Sequence, residues 1–474
     1  MTSDPILAKA SFEIAPTADA PSRRRPADRF YSRLQWSLLA LLAAMLIYGF
    51  ALSRLIATPR WIGFRMVIAS LLAMNLLWWS IADRRFARFV ATPRRSRVLR
   101  LAAGGFSLAL SLPILYMMAF GRTPQFADMP IWYAAAVTAW QIGLAFLMPI
   151  IAAARLILLG AVAISRRSTS VPRTATARGA GPTAIREVSL SRRDLLRTAV
   201  ASVPMAALGG ITAVSVVQQG RLRVHRHDLP APWLPSRLRG MTITHISDLH
   251  VGRLYRPHML RELVDQANAL NGDVVLVTGD IVDSSNDMLP PALRALRQIE
   301  SRYGMYACIG NHDEIDDRRE FIEATRREMP LLINQRRIID IGGEKLTISG
   351  VDYARSDGGS RQRPGHVENV RDTLAGHDPA HDGPMIAMAH HPHTWDALRV
   401  RGVPLTLSGH THGGQIMFTP PSERQDLGIG NLLFRYLRGF YGDEHSSLFV
   451  NSGVGNWFPL RVHAPAEIVQ IRLI

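Results

Sequence analysis

Cysteine occurs once in the 474-residue sequence, at Cys308. One thiol excludes an intramolecular disulfide and any multi-cysteine zinc site. It lies inside an apolar strand pattern, which predicts a buried packing thiol. Lysine occurs only at Lys9 and Lys345, so arginine carries almost all of the formal net charge of +17. Histidine is missing from the whole first half, and all sixteen lie from His225 onward. Imidazole chemistry therefore belongs to the second half. Many of the arginines flank apolar runs. That position makes them membrane-topology signals and gives no reason to expect a nucleic-acid partner.

The first half is organised by apolar runs. Residues 1–32 are polar and rich in Pro, Ala and Ser, closing with Arg23, Arg24, Arg25 and Arg29, and predict a disordered cytoplasmic tail. Residues 33–164 hold runs at Leu34–Ser53, Ile62–Ala82, Leu99–Phe120 and Ile131–Ile164. Crossing a hydrocarbon core takes about 20 helical residues, so these predict four transmembrane helices. Arginine is dense before the first run, between the second and third, and after the fourth, and sparse in the other two connections. The positive-inside rule then gives a cytoplasmic N-terminus and a cytoplasmic return.

Residues 165–220 form a basic linker followed by a fifth apolar stretch. Ser191-Arg192-Arg193-Asp194-Leu195-Leu196-Arg197 precedes an uncharged run from Thr198 to about Val217. This pattern resembles a twin-arginine export signal, and a plain fifth membrane helix is the alternative. Either reading places residues 221–474 outside the cytoplasmic membrane. No small-residue cleavage site stands out, so the domain is expected to stay tethered to a bacterial inner membrane.

Residues 221–474 read as an α/β domain. Strand-like runs are expected at 241–246, 273–278, 304–309, 346–351, 385–389, 404–408, 447–451 and 466–472. Helices are expected over Pro257–Leu270, Leu289–Ile299 and Asp316–Arg327. His225 and His227 are read as linker, His245 as a core residue, and Asp352–Asp382 as a solvated excursion. Five of the strands end in polar groups of one kind. Thr242–His250 delivers Asp248 and His250. The next delivers Asp280 and Asp283. Then come Asn311, His312 and Asp313, followed by His390, and finally His410 and His412.

Asp, Asn and His without Cys suit a borderline-to-hard divalent ion such as Mn, Fe, Zn or Co. Asp280, deep behind an aliphatic strand, is placed to share its carboxylate between two ions. Asn311 offers a neutral amide oxygen. Two ions can hold a bridging hydroxide and clamp a phosphoryl group. His312 is not needed as a ligand and is free to protonate a leaving oxygen, with Asp313 a candidate to fix its tautomer. Asp283 is read as a loop brace, and Arg253 as either a phosphate contact or a solvated surface group.

The run S-D-L-H-x-G, G-D-x-x-D, G-N-H-D, H-x-P and G-H-T-H-G-G-Q resembles the calcineurin-like metallophosphoesterases, in particular a bacterial membrane-anchored, phosphodiesterase-like subgroup. The likeness covers about residues 235–474. It implies a β-sandwich flanked by helices, with the site at strand ends. It implies one metal held by Asp248, His250, Asp280 and His412. A second would be held by Asp280, Asn311, His390 and His410, with His312 as catalytic acid. His390 is preferred over its neighbours His391 and His393 because it directly ends its strand.

The expected function is hydrolysis of phosphomonoesters or phosphodiesters, with a lipid or cell-envelope ester as a substrate class. A pyrophosphate-linked nucleotide-lipid hydrolase is the enzyme alternative. A transporter or sensor with a phosphoesterase-like ligand-binding module is the alternative from another class. Against the latter, the membrane half shows no acid–base pair or histidine relay of the kind that marks a proton or ion path.

Overall fold

The computed structural model describes residues 60–89, 93–120, 129–168, 207–215, 217–218, 221–252, 254–353, 364–417, 428–432, 434–443 and 445–474. The tail, the first apolar run, the arginine motif at Ser191–Arg197 and Arg253 lie outside them.

Three long helices come first: α1 (Arg60–Phe89), α2 (Pro93–Phe120) and α3 (Ile131–Ser168). Among the described residues two helices, not four, are long and apolar enough to cross a membrane, over Arg97–Tyr116 in α2 and Trp132–Ile151 in α3. The second expected run does form α1. There Arg65 and Asp83 leave an uncharged stretch only from Met66 to Ala82, short of the roughly 20 residues a span needs. The helices are tied by polar contacts. Asn75 donates to Gln141 Oε1 (2.7 Å) and accepts from Trp140 Nε1 (2.7 Å), while Gln141 donates to the Leu110 carbonyl (2.9 Å). An ion pair joins α1 to α2. Arg100 Nε and Nη2 reach Asp83 Oδ1 and Oδ2 at 2.6 and 2.9 Å. The two charges sit at facing ends of successive helices, a pairing that a linear reading of run ends does not reveal.

The remaining chain builds two sheets. The first has the order β1-β11-β2-β3-β4, from Leu222–Leu229, Ala466–Leu473, Thr242–Ile246, Val274–Val277 and Met305–Ala307. The second has the order β5-β6-β7-β8-β10-β9, from Gln335–Ile341, Glu344–Val351, Met385–Ala389, Leu405–Ser408, Ser447–Val450 and Gly439–Gly442. Their facing sides share one core. Ile243, Leu276, Cys308 and Ile471 of the first sheet pack with Ile348, Met388, Leu407 and Phe449 of the second. Cys308 is the buried thiol the strand pattern predicts. Helices α4 (Leu260–Ala269), α5 (Leu289–Leu296) and α6 (Arg318–Glu328) cover the outer face of the first sheet through Leu263, Leu293 and Phe321. Helices α7 (Pro364–Leu374), α8 (Pro379–Asp382) and α9 (Trp395–Arg399) follow β6 and β7, and Val370 and Leu398 cover the second sheet. This is a sandwich with helices on both outer faces.

Three strands escape the sequence reading. β1 holds His225 and His227 in parallel register with β11, not in a linker. Its alternation is masked by basic residues on an edge strand. β5 pairs antiparallel with β6 across the Gly342–Gly343 turn, and β9 pairs antiparallel with β10. The supposed excursion after Asp352 contains α7 and α8, and Asp352 itself accepts from Arg318 at 2.8–2.9 Å.

Strands β2, β3 and β4 run parallel, as do β6, β7, β8 and β10. Their carboxyl ends therefore open toward one region, the usual place for a site in such sheets.

Candidate metal centre

Each ligand-bearing turn starts where a buried strand stops. The backbone then turns sharply. Asp248, Asp280, His250, His410 and His412 all take positive φ, between 44° and 71°. Left-handed backbone is unfavourable for side chains bearing a Cβ, and clusters of it mark functional turns. The neighbouring glycines have a steric reason. A Cβ at Gly310 would collide with the Asp280 carboxylate, and one at Gly409 with Ser247 and the Asp248 carboxylate.

The side chains converge on two adjacent places. In the first, His412 Nε2 lies 3.0 Å from His250 Nε2 and 3.3 Å from Asp248 Oδ1. In the second, His410 Nδ1 lies 2.8 Å from Asn311 Oδ1 and 3.2 Å from His390 Nε2, and His390 Nε2 lies 3.1 Å from Asn311 Oδ1. Asp280 Oδ2 stands between them, 3.4 Å from His250 Nε2 and 3.2 Å from His390 Nε2. Donors about 2.0–2.2 Å from a shared ion lie about 3 Å apart across a right angle. Two imidazole nitrogens at 3.0 Å with their lone pairs facing are unfavourable unless a proton or a cation separates them. The donor set could hold two divalent ions, for which Asp248, His250, Asp280 and His412 would surround one and Asp280, Asn311, His390 and His410 the other. A further set, His250, Asp280 and His312, also converges.

Supporting contacts orient these donors, as is usual around metal ligands. His390 Nδ1–H donates to the Thr278 carbonyl at 2.7 Å, which turns Nε2 inward. Asp248 accepts from Ser247 Oγ (2.5 Å) and from the His410 amide (3.0 Å). Ser247 in turn accepts from Thr278 Oγ1 at 2.7 Å, and His245 Nε2 meets that hydroxyl at 2.9 Å. His245 is fully buried, and desolvation pushes its pKa down to about 3, so it stays neutral.

Asp313 does not orient His312. Its carboxylate accepts the amides of Asp280 (2.9 Å), Ile281 (2.8 Å) and Gly310 (2.8 Å). It locks the β3 turn to the β4 turn and so fixes the backbone of Asp280. Burial and the nearby Asp280 charge push its carboxyl up to about 7. The residue that meets His312 is Asp283: its carbonyl contacts His312 Nδ1, and its carboxylate stands 3.9 Å from Nδ1. The same carboxylate is 3.6 Å from His250 Nδ1. Spacing along the chain favours the aspartate adjacent to the histidine, whereas the fold brings up the one on the neighbouring turn.

A sixth strand end, after β10, completes the site without a ligand of its own. Gly453 rests on the Asp248 side chain and Gly455 on the Leu249 carbonyl. Arg461 holds this loop from beneath. Fully buried, it donates to the carbonyls of Ser452 (3.1 Å), Gly453 (3.1 Å), Gly455 and Ala464 (2.8 Å), and to Asn456 Oδ1. Burial draws its pKa down to about 10. The sequence reading missed this loop. The only signal was another apolar strand ending in small polar residues, N-S-G-V-G-N.

Asp248, His250, Asp280, His390 and His412 are buried, whereas Asn311, His312 and His410 are partly open. Access is therefore over the second donor set and His312. His391 lies tilted against His410 (4.6 Å between centroids), and Phe434 and Tyr353 flank His410 at 5.6 and 6.0 Å.

Burial alone would lower the pKa values of His250 and His390. The carboxylates around them overcome it and hold His250 up to about 10 and His390 up to about 9. Both rings therefore carry protons near pH 7 when no metal is present, and a metal must displace them. Metal affinity is expected to rise with pH until both rings have lost their extra proton, through about 9 to 10. Calorimetry in buffers of different ionisation heat should show net proton release on Zn or Mn binding. No release would contradict this electrostatic picture.

Residues 241–414 match the family of calcineurin-like phosphoesterases, and the chain carries a calcineurin-like metallophosphoesterase domain. It is 29% identical over 300 residues to a transmembrane protein with metallophosphoesterase domain from Danio rerio, covering 60% of this chain and 65% of that one. It is 32% identical over 238 residues to an uncharacterized metallophosphoesterase of Helicobacter pylori strain J99, covering 48% and 58%. It thus spans less than two thirds of either relative. With the uncharacterized metallophosphoesterase YkuE of Bacillus subtilis it shares 25% identity over 302 residues, 60% of this chain and 98% of that one. Among solved structures, a dimetal phosphatase from Danio rerio aligns with a TM-score of 0.30 at 13% identity, covering 50% of this chain and 93% of that one.

Proposed function

We propose that the chain is a membrane-anchored, binuclear metal-dependent phosphoesterase that hydrolyses phosphomonoesters or phosphodiesters. The observation that carries this reading is Asp280 Oδ2, one carboxylate oxygen within 3.4 Å of donors from both sets. When bound, two divalent ions supply Lewis-acid polarisation of phosphoryl oxygens and a hydroxide nucleophile at neutral pH. Mn, Fe and Zn all suit the donors.

The division into a tail (1–32), membrane helices (33–164), a basic linker with a twin-arginine-like signal (165–220) and a hydrolase domain (221–474) belongs to the same proposal. So does the placement of the domain outside a bacterial inner membrane, supported by the arginine distribution.

His312 supplies the proton. With Nδ1–H directed at the Asp283 carbonyl, the opposite nitrogen of the imidazolium is free to donate to a leaving oxygen. The Asp283 carboxylate stands 3.9 Å from the same Nδ1. His312→Ala is expected to lower kcat by roughly 10²–10⁴-fold while metal content stays unchanged. Metal analysis and turnover of an aryl phosphoester test this together. Loss of metal in this variant would move His312 into the ligand set; full activity would remove it from the mechanism.

A further inference from the structure

The loop that supports Asp248 continues into Asn456-Trp457-Phe458-Pro459-Leu460-Arg461, and this segment is gripped from two sides. On the site side, Gln415, the last residue of G-H-T-H-G-G-Q, donates through Nε2 to the carbonyls of Phe458 (2.9 Å) and Leu460 (2.8 Å). On the other side lies the helical segment at 207–215 that precedes β1. There Ser215 Oγ accepts the Arg461 amide at 2.9 Å. Leu460 is fully buried in one apolar cluster with Leu208 of that segment and with Trp78, Trp140 and Leu144 of α1 and α3. A single short loop therefore touches both the metal-binding turn and the apolar helices.

Trp457 departs from this burial. It is 60% exposed on a loop whose backbone is firmly held. Val214 and Val217, flanking Ser215, are 40% and 54% exposed. Arg221, just before β1, and Arg223, within it, follow, and both are exposed. An exposed tryptophan and valines continuous with apolar helices, with arginines just beyond, match the composition of a membrane–water interface. There indole rings sit at headgroup depth and basic residues meet anionic lipid.

We propose that Trp457, with Val214 and Val217, lies in the bilayer interface, and that the metal site thereby takes lipid phosphoesters whose phosphate is presented at the membrane surface. The substrate half of this rests on the hydrolase reading above; the surface half does not.

The test uses the full metal-loaded chain in nanodiscs of phosphatidylglycerol, with and without brominated acyl chains. The difference in emission between wild type and Trp457→Phe isolates this indole among nine. Brominated lipid is expected to quench that difference signal by about half or more; an unquenched signal overturns the interface placement. In the same discs, p-nitrophenyl and bis-p-nitrophenyl phosphate are compared with phosphatidic acid and phosphatidylglycerol. Trp457→Ala is expected to slow lipid hydrolysis about tenfold and leave the aryl esters within about twofold. An equal effect on both, or aryl hydrolysis with neither lipid cleaved, overturns the lipid assignment while the hydrolase stands. Inertness toward every ester would instead remove the hydrolase reading, with the quenching result still standing on its own.

Discussion

Asp280→Asn is expected to reduce turnover of an aryl phosphoester on the order of 10³-fold or more, because Lewis-acid stabilisation is worth several kcal/mol and about 1.4 kcal/mol is tenfold. The substitution removes the one charge that both donor sets share. His250 and His390 then lose the carboxylate oxygen at 3.4 and 3.2 Å, and metal content should fall from two ions per chain to one or none. The fold should survive. Position 280 has a φ of 53°, which asparagine tolerates as well as aspartate does. The amide oxygen can still accept the His312 amide, now 2.8 Å from Oδ1. Elemental analysis, turnover and thermal unfolding on one preparation check this. Retention of two ions with little loss of rate would show that Asp280 is not the shared ligand.

Arg461→Met is expected to cause the largest loss of stability. The change deletes the Arg461 donors to four loop carbonyls and Asn456 in a buried interior, leaving only the Gly453 carbonyl with a second donor, the Glu467 amide. Removing one partner of a buried charged network costs about 3–5 kcal/mol. For a domain of this size that lowers Tm by roughly 6–20 °C. Metal affinity should fall too, since Gly453 rests on Asp248. Arg461→Lys keeps the charge but offers three donors without the planar fork, so most of the loss should remain. A Met variant melting with the wild type would mean the loop holds itself.

The convergence of the candidate ligands was legible because they sit at strand ends and strands are visible as apolar runs. Eight strands were readable in this way, and each ligand-bearing turn follows one of them. What remained hidden depends on pairing across the sequence. Asp283 sits on the β3 turn and Asp313 directly follows His312, yet their roles are set by which groups the fold brings to them. Asp313 is consumed by the amides of the β3 turn, leaving Asp283 for the imidazole. Arg461 was invisible for the same reason: its partners are carbonyls, and carbonyls carry no sequence signal. β1 and β5 are edge strands whose exposed sides carry charge, so no clean alternation marks them. Asp83 and Arg100 pair only because two helices fold back on each other.

The most direct measurement is the metal content of the purified full chain alongside its turnover of aryl phosphomonoesters and phosphodiesters, before and after chelation and reloading. The account predicts two divalent ions per chain, turnover lost when they are stripped, and turnover restored as they return. A folded chain that binds no metal, or that cleaves the esters equally well once stripped, would contradict it.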